Sequence, residues 1–259
     1  MLAKKSLGQN FLIDQNVIKK IVNLVDVENQ NIIEIGPGKG ALTKEILKKN
    51  PKKLILIEKD NKLCSDLKNN YTDRKKIKII NQDILKFDLN KIKTKNLIIF
   101  GNLPYNISSQ ILVKFIKFNI WPPNYKDIIF MFQKELGKKI TANFPSKDYS
   151  RLSILTKYRL SHLNKFDISA NCFFPKPKVN STIIHFKPKI HSKYKIKRIE
   201  NLERITNSIF SNKRKMIKKS LKKLLNTNKI NLIPDINLNL RPENLSPDTY
   251  YKITNLYEN

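Results

Sequence analysis

The sequence predicts an α/β protein in which a parallel, doubly wound sheet is followed by a small all-helical C-terminal domain. Three observations carry this. Short apolar runs alternate with helical segments through the first part of the chain. A glycine turn, Gly36-Pro37-Gly38-Lys39-Gly40, follows the run Asn31–Ile35, and a carboxylate, Glu58, closes the next run. Finally, composition changes at Lys187-Pro188-Lys189 to a basic segment with helical periodicity. These features divide the 259 residues into a domain over 1–188 and a second over 189–259.

Asp14 is the expected N-cap of the first helix, in which Val17, Ile18, Ile21, Val22 and Val25 recur at helical spacing. The preceding Gly8–Leu12 reads as a loop. Asn31–Ile35 reads as a strand entering the glycine turn, then a helix runs from about Ala41 to Lys49, and Leu54–Ile57 forms a second strand. A polar helix near Asn61–Asn70 leads to a third strand, Ile77–Ile80, closing on Asn81-Gln82-Asp83. Leu97–Phe100 is the fourth strand and delivers the turn Asn102-Leu103-Pro104-Tyr105. Ser108 is read as the cap of a helix carrying Ile111, Leu112, Phe115 and Ile116, and Asp127–Phe132 is the fifth strand. Helix then extends over Gln133–Tyr158 with a polar break at Asn143–Ser146. Late strands at Phe166–Ile168 and Thr182–Phe186 bracket a proline-stiffened loop. Beyond the boundary, Arg204–Asn226 is expected to be helical, and the tail, with Pro234, to hold short helices joined by turns.

The charge narrows the partners. Lys and Arg number 51 against 21 Asp and Glu, a formal +30, which favours a polyanion. Lys213, Arg214, Lys215, Lys218, Lys219, Lys222 and Lys223 crowd the faces left by the apolar positions of the late helical stretch, and in so basic a chain they read as phosphate-facing. Cys64 and Cys172 lack C-x-x-C spacing, so neither a disulfide framework nor a zinc site is expected, and a reduced, cytoplasmic setting follows. His162, His185 and His191 have no metal-ligand spacing, and no metal is expected. The N-terminus lacks an apolar signal core, and no run approaches bilayer-spanning length.

In an open parallel sheet, ligands bind outside the carboxyl ends of the strands, where Gly36, Glu58, Asp83 and Asn102 all fall. The spacing from Gly36 to Glu58 is near the roughly 20 residues that separate a nucleotide-binding turn from a ribose-binding acid. In the turn, Asn102 offers an amide oxygen, Pro104 a backbone carbonyl and Tyr105 an aromatic face, a set suited to gripping the amino group of a planar base.

NFLID near the start, IIEIGPGKGALT, LIEKD, QDIL, GNLPYNISSQIL, the Phe-x-Pro-x-Pro-Lys-Val of Phe173–Val179 and the basic RKMIKKSL together resemble the ribosomal RNA adenine N6-dimethyltransferases over nearly the whole chain. The nearest form is the bacterial enzyme that dimethylates two adjacent adenosines near the 3′ end of 16S rRNA. The resemblance implies a Rossmann-like methyltransferase domain that uses S-adenosylmethionine (SAM), with a small helical C-terminal domain. It implies a cofactor site of Asn10, Leu12, Gly36, Gly38, Glu58 on the ribose hydroxyls, Asp83 near the adenine amino group and Asn102 beside the methionine portion. The catalytic group would be Asn102, Pro104, Tyr105 and Phe173. The Asn102 oxygen and Pro104 carbonyl would accept the two N–H bonds of the target amine, and Tyr105 and Phe173 would sandwich its base, with Phe174 the rival for that last role. The basic residues Lys213, Arg214, Lys215, Lys218, Lys219 and Lys222 would meet RNA. The implied partner is 16S rRNA in the 30S subunit or its precursor, with no membrane association and a monomeric state. Two alternatives stand beside it: a large-subunit (23S) dimethyltransferase of the antibiotic-resistance type, and a mainly non-catalytic ribosome assembly factor. A DNA adenine methyltransferase fits less well, because its turn carries Pro where Leu103 stands.

Overall fold

The computed structural model describes residues 9–71, 75–190, 192–233 and 236–259. Gly8, His191 and Pro234, named above, lie outside the described residues. The chain forms two compact units, one of residues 1–137 and 161–188, the other of residues 138–160 and 189–259.

The first unit holds a seven-stranded sheet with helices. Strand β1 is Phe11–Leu12 and helix α1 is Gln15–Val22; the Asp14 carboxylate accepts from the N–H groups of Asn16 and Val17, both at 2.9 Å, so the expected cap is present. Then follow β2 (Asn31–Ile35), α2 (Ala41–Lys48), β3 (Lys53–Glu58), α3 (Asn61–Asn70), β4 (Ile77–Asn81), β5 (Leu97–Asn102), α4 (Ser108–Ile116) and β6 (Tyr125–Gln133). Helices α5 (Lys134–Thr141) and α6 (Arg151–Arg159) precede β7 (Leu160–Ile168), β8 (Phe173–Phe174) and β9 (Ser181–Pro188).

Sheet order is β4-β3-β2-β5-β6-β9-β7, with β1 and β8 paired apart from it. The pairs β2–β3, β3–β4, β2–β5 and β5–β6 are parallel, as the alternating pattern requires. The pair β6–β9 is antiparallel, so the sheet is mixed rather than wholly parallel. Ile32, Leu54, Leu56, Ile98, Phe100, Ile129 and Met131 form its dry centre, together with Ile18, Ile21 and Val22 of α1 and Ile46 of α2. Because β2 is flanked by β3 on one side and β5 on the other, the chain reverses its winding there. A crevice opens at that switch point.

Three local readings need correction. Phe11 and Leu12 are not loop: they pair antiparallel with Phe174 and Phe173. Ser108 is the first residue of α4 rather than its cap; its hydroxyl donates to the Tyr105 carbonyl at 3.1 Å and closes the turn before the helix. The late helical stretch is two helices, α7 (Ile199–Phe210) and α8 (Lys218–Leu224). It breaks because the N–H groups of Ile217 and Lys218 bond to the carbonyls of Leu240 and Leu238, at 2.9 and 3.2 Å, instead of to a preceding helical turn. Lys213, Arg214 and Lys215 therefore lie on the connection and only Lys218, Lys219 and Lys222 on the helix; all six are exposed.

The second unit also contains α9 (Thr227–Asn231) and α10 (Pro247–Glu258). A single cut at residue 188 leaves residues 138–160 in the wrong unit. They join the second one through buried tyrosines: the Tyr251 hydroxyl donates to the Ile154 carbonyl at 3.0 Å, and the rings of Tyr158 and Tyr251 lie 5.1 Å apart. No helix among the described residues is long and apolar enough to cross a membrane.

Candidate active site

The register of the sheet brings the predicted residues together. Ile35 pairs with Ile57 on one side and Gly101 on the other, so Gly36, Glu58 and Asn102 emerge side by side, and Glu58 pairs with Asn81 just before Asp83. A cleft of about 1180 Å³, counted to its open mouth, is lined by Asn10, Leu12, Gly36, Gly38, Glu58, Asp83, Asn102, Pro104 and Tyr105. Phe173 is absent from this lining.

The turn after β2 needs glycine. Gly38 has φ +57°, and a Cβ there would lie 3.1 Å from the Phe11 ring. Its N–H donates to one Glu58 oxygen at 3.1 Å, while the Asp60 N–H donates to the other at 2.8 Å. Burial pushes the Glu58 carboxyl above its ordinary range, and the N–H groups of Asp60 and Gly38 oppose that. Asp83 is held below the usual carboxylate range: its burial acts upward, but the Lys59 ammonium at 2.9 Å and the Leu85 N–H at 2.9 Å outweigh it.

Asn102 is the pivot of the site. Its Nδ2 donates to the Asn10 carbonyl at 3.1 Å. Only a nitrogen can face that carbonyl, so the bond sets the orientation of the amide and leaves Oδ1 as its acceptor. The N-terminal segment thus contributes through its backbone at Asn10 and through the buried Leu12, 3% exposed. Tyr105 is fastened at its far end, where its hydroxyl and that of the fully buried Ser181 are 2.5 Å apart. Burial raises the Tyr105 pKa, against the opposing bond from Ser181.

Two catalytic assignments change. Phe173 is 3% exposed and belongs to the core, whereas Phe174 is 59% exposed, because consecutive residues of a strand face opposite ways. Phe173 therefore cannot present its face to a base. The Pro104 carbonyl already accepts the Ile107 N–H at 3.2 Å, which directs it into the turn. The Leu103 carbonyl accepts no hydrogen bond among the described residues, and Leu103 lines the cleft.

The sequence pattern does not single out Glu34, which lines the cleft at 1% exposure and accepts the Thr43 hydroxyl at 2.6 Å. Burial raises its pKa to about 7, opposed by Thr43 and reinforced by the Glu58 charge. The available signal was a lone carboxylate inside an otherwise apolar strand. For Ser181 no local signal existed.

Comparison with known proteins places the chain in a family. The family model for ribosomal RNA adenine dimethylase matches residues 1–259. The chain belongs to that family. Ribosomal RNA small subunit methyltransferase A of Pelagibacter ubique is 46% identical over 99% of this chain and 97% of its own length. The protein of the same name from Malacoplasma penetrans is 39% identical over 97% of this chain and 90% of its own length. Among solved structures, a dimethyladenosine transferase from Plasmodium falciparum superposes with TM-score 0.74 at 25% identity, covering 94% of this chain and 95% of that one. The 23S rRNA methyltransferase ErmE shares the fold, with TM-score 0.70 at 20% identity over 96% of this chain and 100% of that one.

This dimethylase is thus a SAM-dependent methyltransferase acting on adenine of ribosomal RNA. The residues present fit the cofactor. The Gly38 cradle closes against the Phe11 ring, a carboxylate stands at the end of β3, and a second stands after β4.

Proposed function

We propose that this dimethylase converts the N6 amino groups of two adjacent adenosines near the 3′ end of 16S rRNA to dimethylamines, within the 30S subunit or its precursor. The carrying observation is the Asn102 amide, whose Nδ2 is taken by the Asn10 carbonyl, leaving Oδ1 as the acceptor of a residue that lines the cleft. The small-subunit target is supported by the two relatives named for it at 46% and 39% identity. ErmE shares only the fold at 20% identity, which gives the large-subunit alternative less support.

Bound SAM supplies an electrophilic methyl group. The protein supplies position. An adenine N6 lone pair is delocalised into the ring and attacks poorly while it remains so. Asn102 Oδ1 accepts one N6–H bond and the Leu103 carbonyl, unpartnered among the described residues, accepts the other. In this way the two acceptors hold the nitrogen with its lone pair out of conjugation. Tyr105, braced by Ser181, offers a ring on which the base stacks, an interaction worth about 1–3 kcal/mol. No strong base is required before attack, and the proton leaves afterwards to water. Glu58 would hold the ribose hydroxyls and Asp83 the adenine amine of the cofactor, both carboxylates lining the cleft.

The exposed Lys213, Arg214, Lys215, Lys218, Lys219 and Lys222 form the RNA-binding face of the second unit. The enzyme works as a cytoplasmic monomer. Incubation with tritiated SAM and hypomethylated 30S or 50S subunits tests the assignment: label in 30S, mapped to two adjacent adenosines, supports it, and label confined to 50S refutes it. Asn102→Ala should lower the methylation rate by at least about 10²-fold, as loss of a positioned polar group does elsewhere, with RNA binding nearly intact.

A further inference from the structure

Next to the cofactor cleft lies a second groove of about 810 Å³, open to solvent, that the reaction as described does not use. It shares Phe11, Leu12, Lys39 and Ala41 with the cleft, so the two adjoin. Its walls carry Ile13 and Phe174, which are 54% and 59% exposed. Two large apolar side chains left in water in one concavity mark a contact surface.

These walls are held rigidly. Phe174 pairs with Phe11 across the β1–β8 ladder, and the Ile13 N–H donates to the Cys172 carbonyl at 2.9 Å. The same groove also carries cations. Lys39 holds its ammonium 4.9 Å from the centre of the Phe11 ring, and Lys44 and Lys48 follow on α2. The Glu45 carboxylate in the groove is committed to Lys48 at 2.9 Å, whereas neither Lys39 nor Lys44 has a carboxylate partner among the described residues. An aromatic face in one groove with two unneutralised ammonium groups suits a nucleotide: base on the ring, phosphate on the lysines.

We propose that this groove holds the single-stranded nucleotide adjoining the target adenosine, with its base against Phe174 and Ile13 and its phosphate at Lys39 and Lys44. A target base must leave its stack to be methylated, which strips one stacking face from its neighbour. Phe174 restores that face. The groove thereby makes an unstacked strand the preferred substrate. This inference rests on the RNA-methyltransferase function and adds a second subsite to it.

The test uses the full chain and a fluorescein-labelled decaribonucleotide with two adjacent central adenosines, followed by anisotropy at several salt concentrations. Phe174→Ala should weaken binding about 5- to 150-fold, the range expected when one base loses its stacking partner, while Phe174→Tyr retains affinity and Phe174→Leu does not. Lys44→Gln should lower the slope of log K against log salt by about 0.7, the value for one single-strand phosphate. Its SAM affinity by calorimetry should stay at the parent value, because Lys44 does not line the cofactor cleft. Unchanged affinity in Phe174→Ala with an unchanged slope in Lys44→Gln overturns the proposal. So does full affinity in Phe174→Leu, which would show apolar packing rather than stacking, or displacement of the probe by poly-glutamate as readily as by unlabelled RNA. Failure of the parent protein to bind the probe, together with failure to label 30S subunits, would instead overturn the underlying function.

Discussion

The bond between Tyr105 and Ser181 allows a quantitative test of whether ring position limits methyl transfer. The two hydroxyl oxygens are 2.5 Å apart, one on the turn after β5 and the other, fully buried, at the start of β9. Tyr105→Phe and Ser181→Ala each delete the bond and keep the aromatic face. A neutral hydrogen bond contributes about 0.5–1.5 kcal/mol net. If that energy serves to hold the ring where the base must stack, each variant loses about 2- to 13-fold in kcat with saturating 30S subunits. Tyr105→Phe should also cost more stability than Ser181→Ala, since it leaves the fully buried Ser181 hydroxyl without its partner, at about 1–3 kcal/mol, whereas the half-buried phenol left by Ser181→Ala can turn to water. The decisive measurement is the double variant. Both substitutions remove one interaction, so its kcat should be no lower than that of the worse single variant. Single-turnover methylation with tritiated SAM gives the three rates. Effects that multiply, or a Tyr105→Phe enzyme as fast as the parent, would refute the bracing role.

Glu34 links stability to pH. Its carboxyl is raised from 4.5 to about 7 by burial, so the folded state retains a proton that the unfolded chain releases above 4.5. Stability is therefore full below about 4.5 and falls as pH rises through about 7, by about 3 kcal/mol for a shift of this size. Urea denaturation between pH 5 and 8 should show this decline in the parent and a flatter profile in Glu34→Gln; parallel profiles would exclude Glu34 as the source. Gly38→Ala places a side chain at φ +57° and 3.1 Å from the Phe11 ring, a backbone cost of about 1–2 kcal/mol. It should weaken SAM binding by calorimetry, and parent affinity would show that the turn is not the cradle. Replacing Lys213, Arg214, Lys215 and Lys218 by Gln should reduce the salt slope of 30S binding by roughly 0.7–0.9 for each phosphate no longer neutralised; an unchanged slope would mean these residues only face solvent.

Most of the fold was legible in the chain. Strands β2 to β6, the helices between them and the Asp14 cap rest on local periodicity and on the donors and acceptors of neighbouring residues. The convergence of Gly36, Glu58, Asp83 and Asn102 follows from the same pattern, since parallel strands joined by helices put all their carboxyl ends on one edge. The departures have one physical origin, which is that they depend on partners distant in sequence. In Phe173-Phe174 both residues are the same type, and only pairing with Phe11 and Leu12 decides which ring is buried. The direction of β9 depends on β6, about fifty residues away, and residues 138–160 were assigned by tyrosines of α10. The Pro104 carbonyl was lost to the Ile107 amide when the turn closed, whereas that of Leu103 accepts no hydrogen bond among the described residues. The sequence by itself determined which elements form and which chemistry gathers at the sheet edge, because those are properties of short segments. Only the tertiary structure decided which atoms face the cleft, because an atom's direction is set by what packs behind it: Asn10 behind Asn102, and Ser181 behind Tyr105.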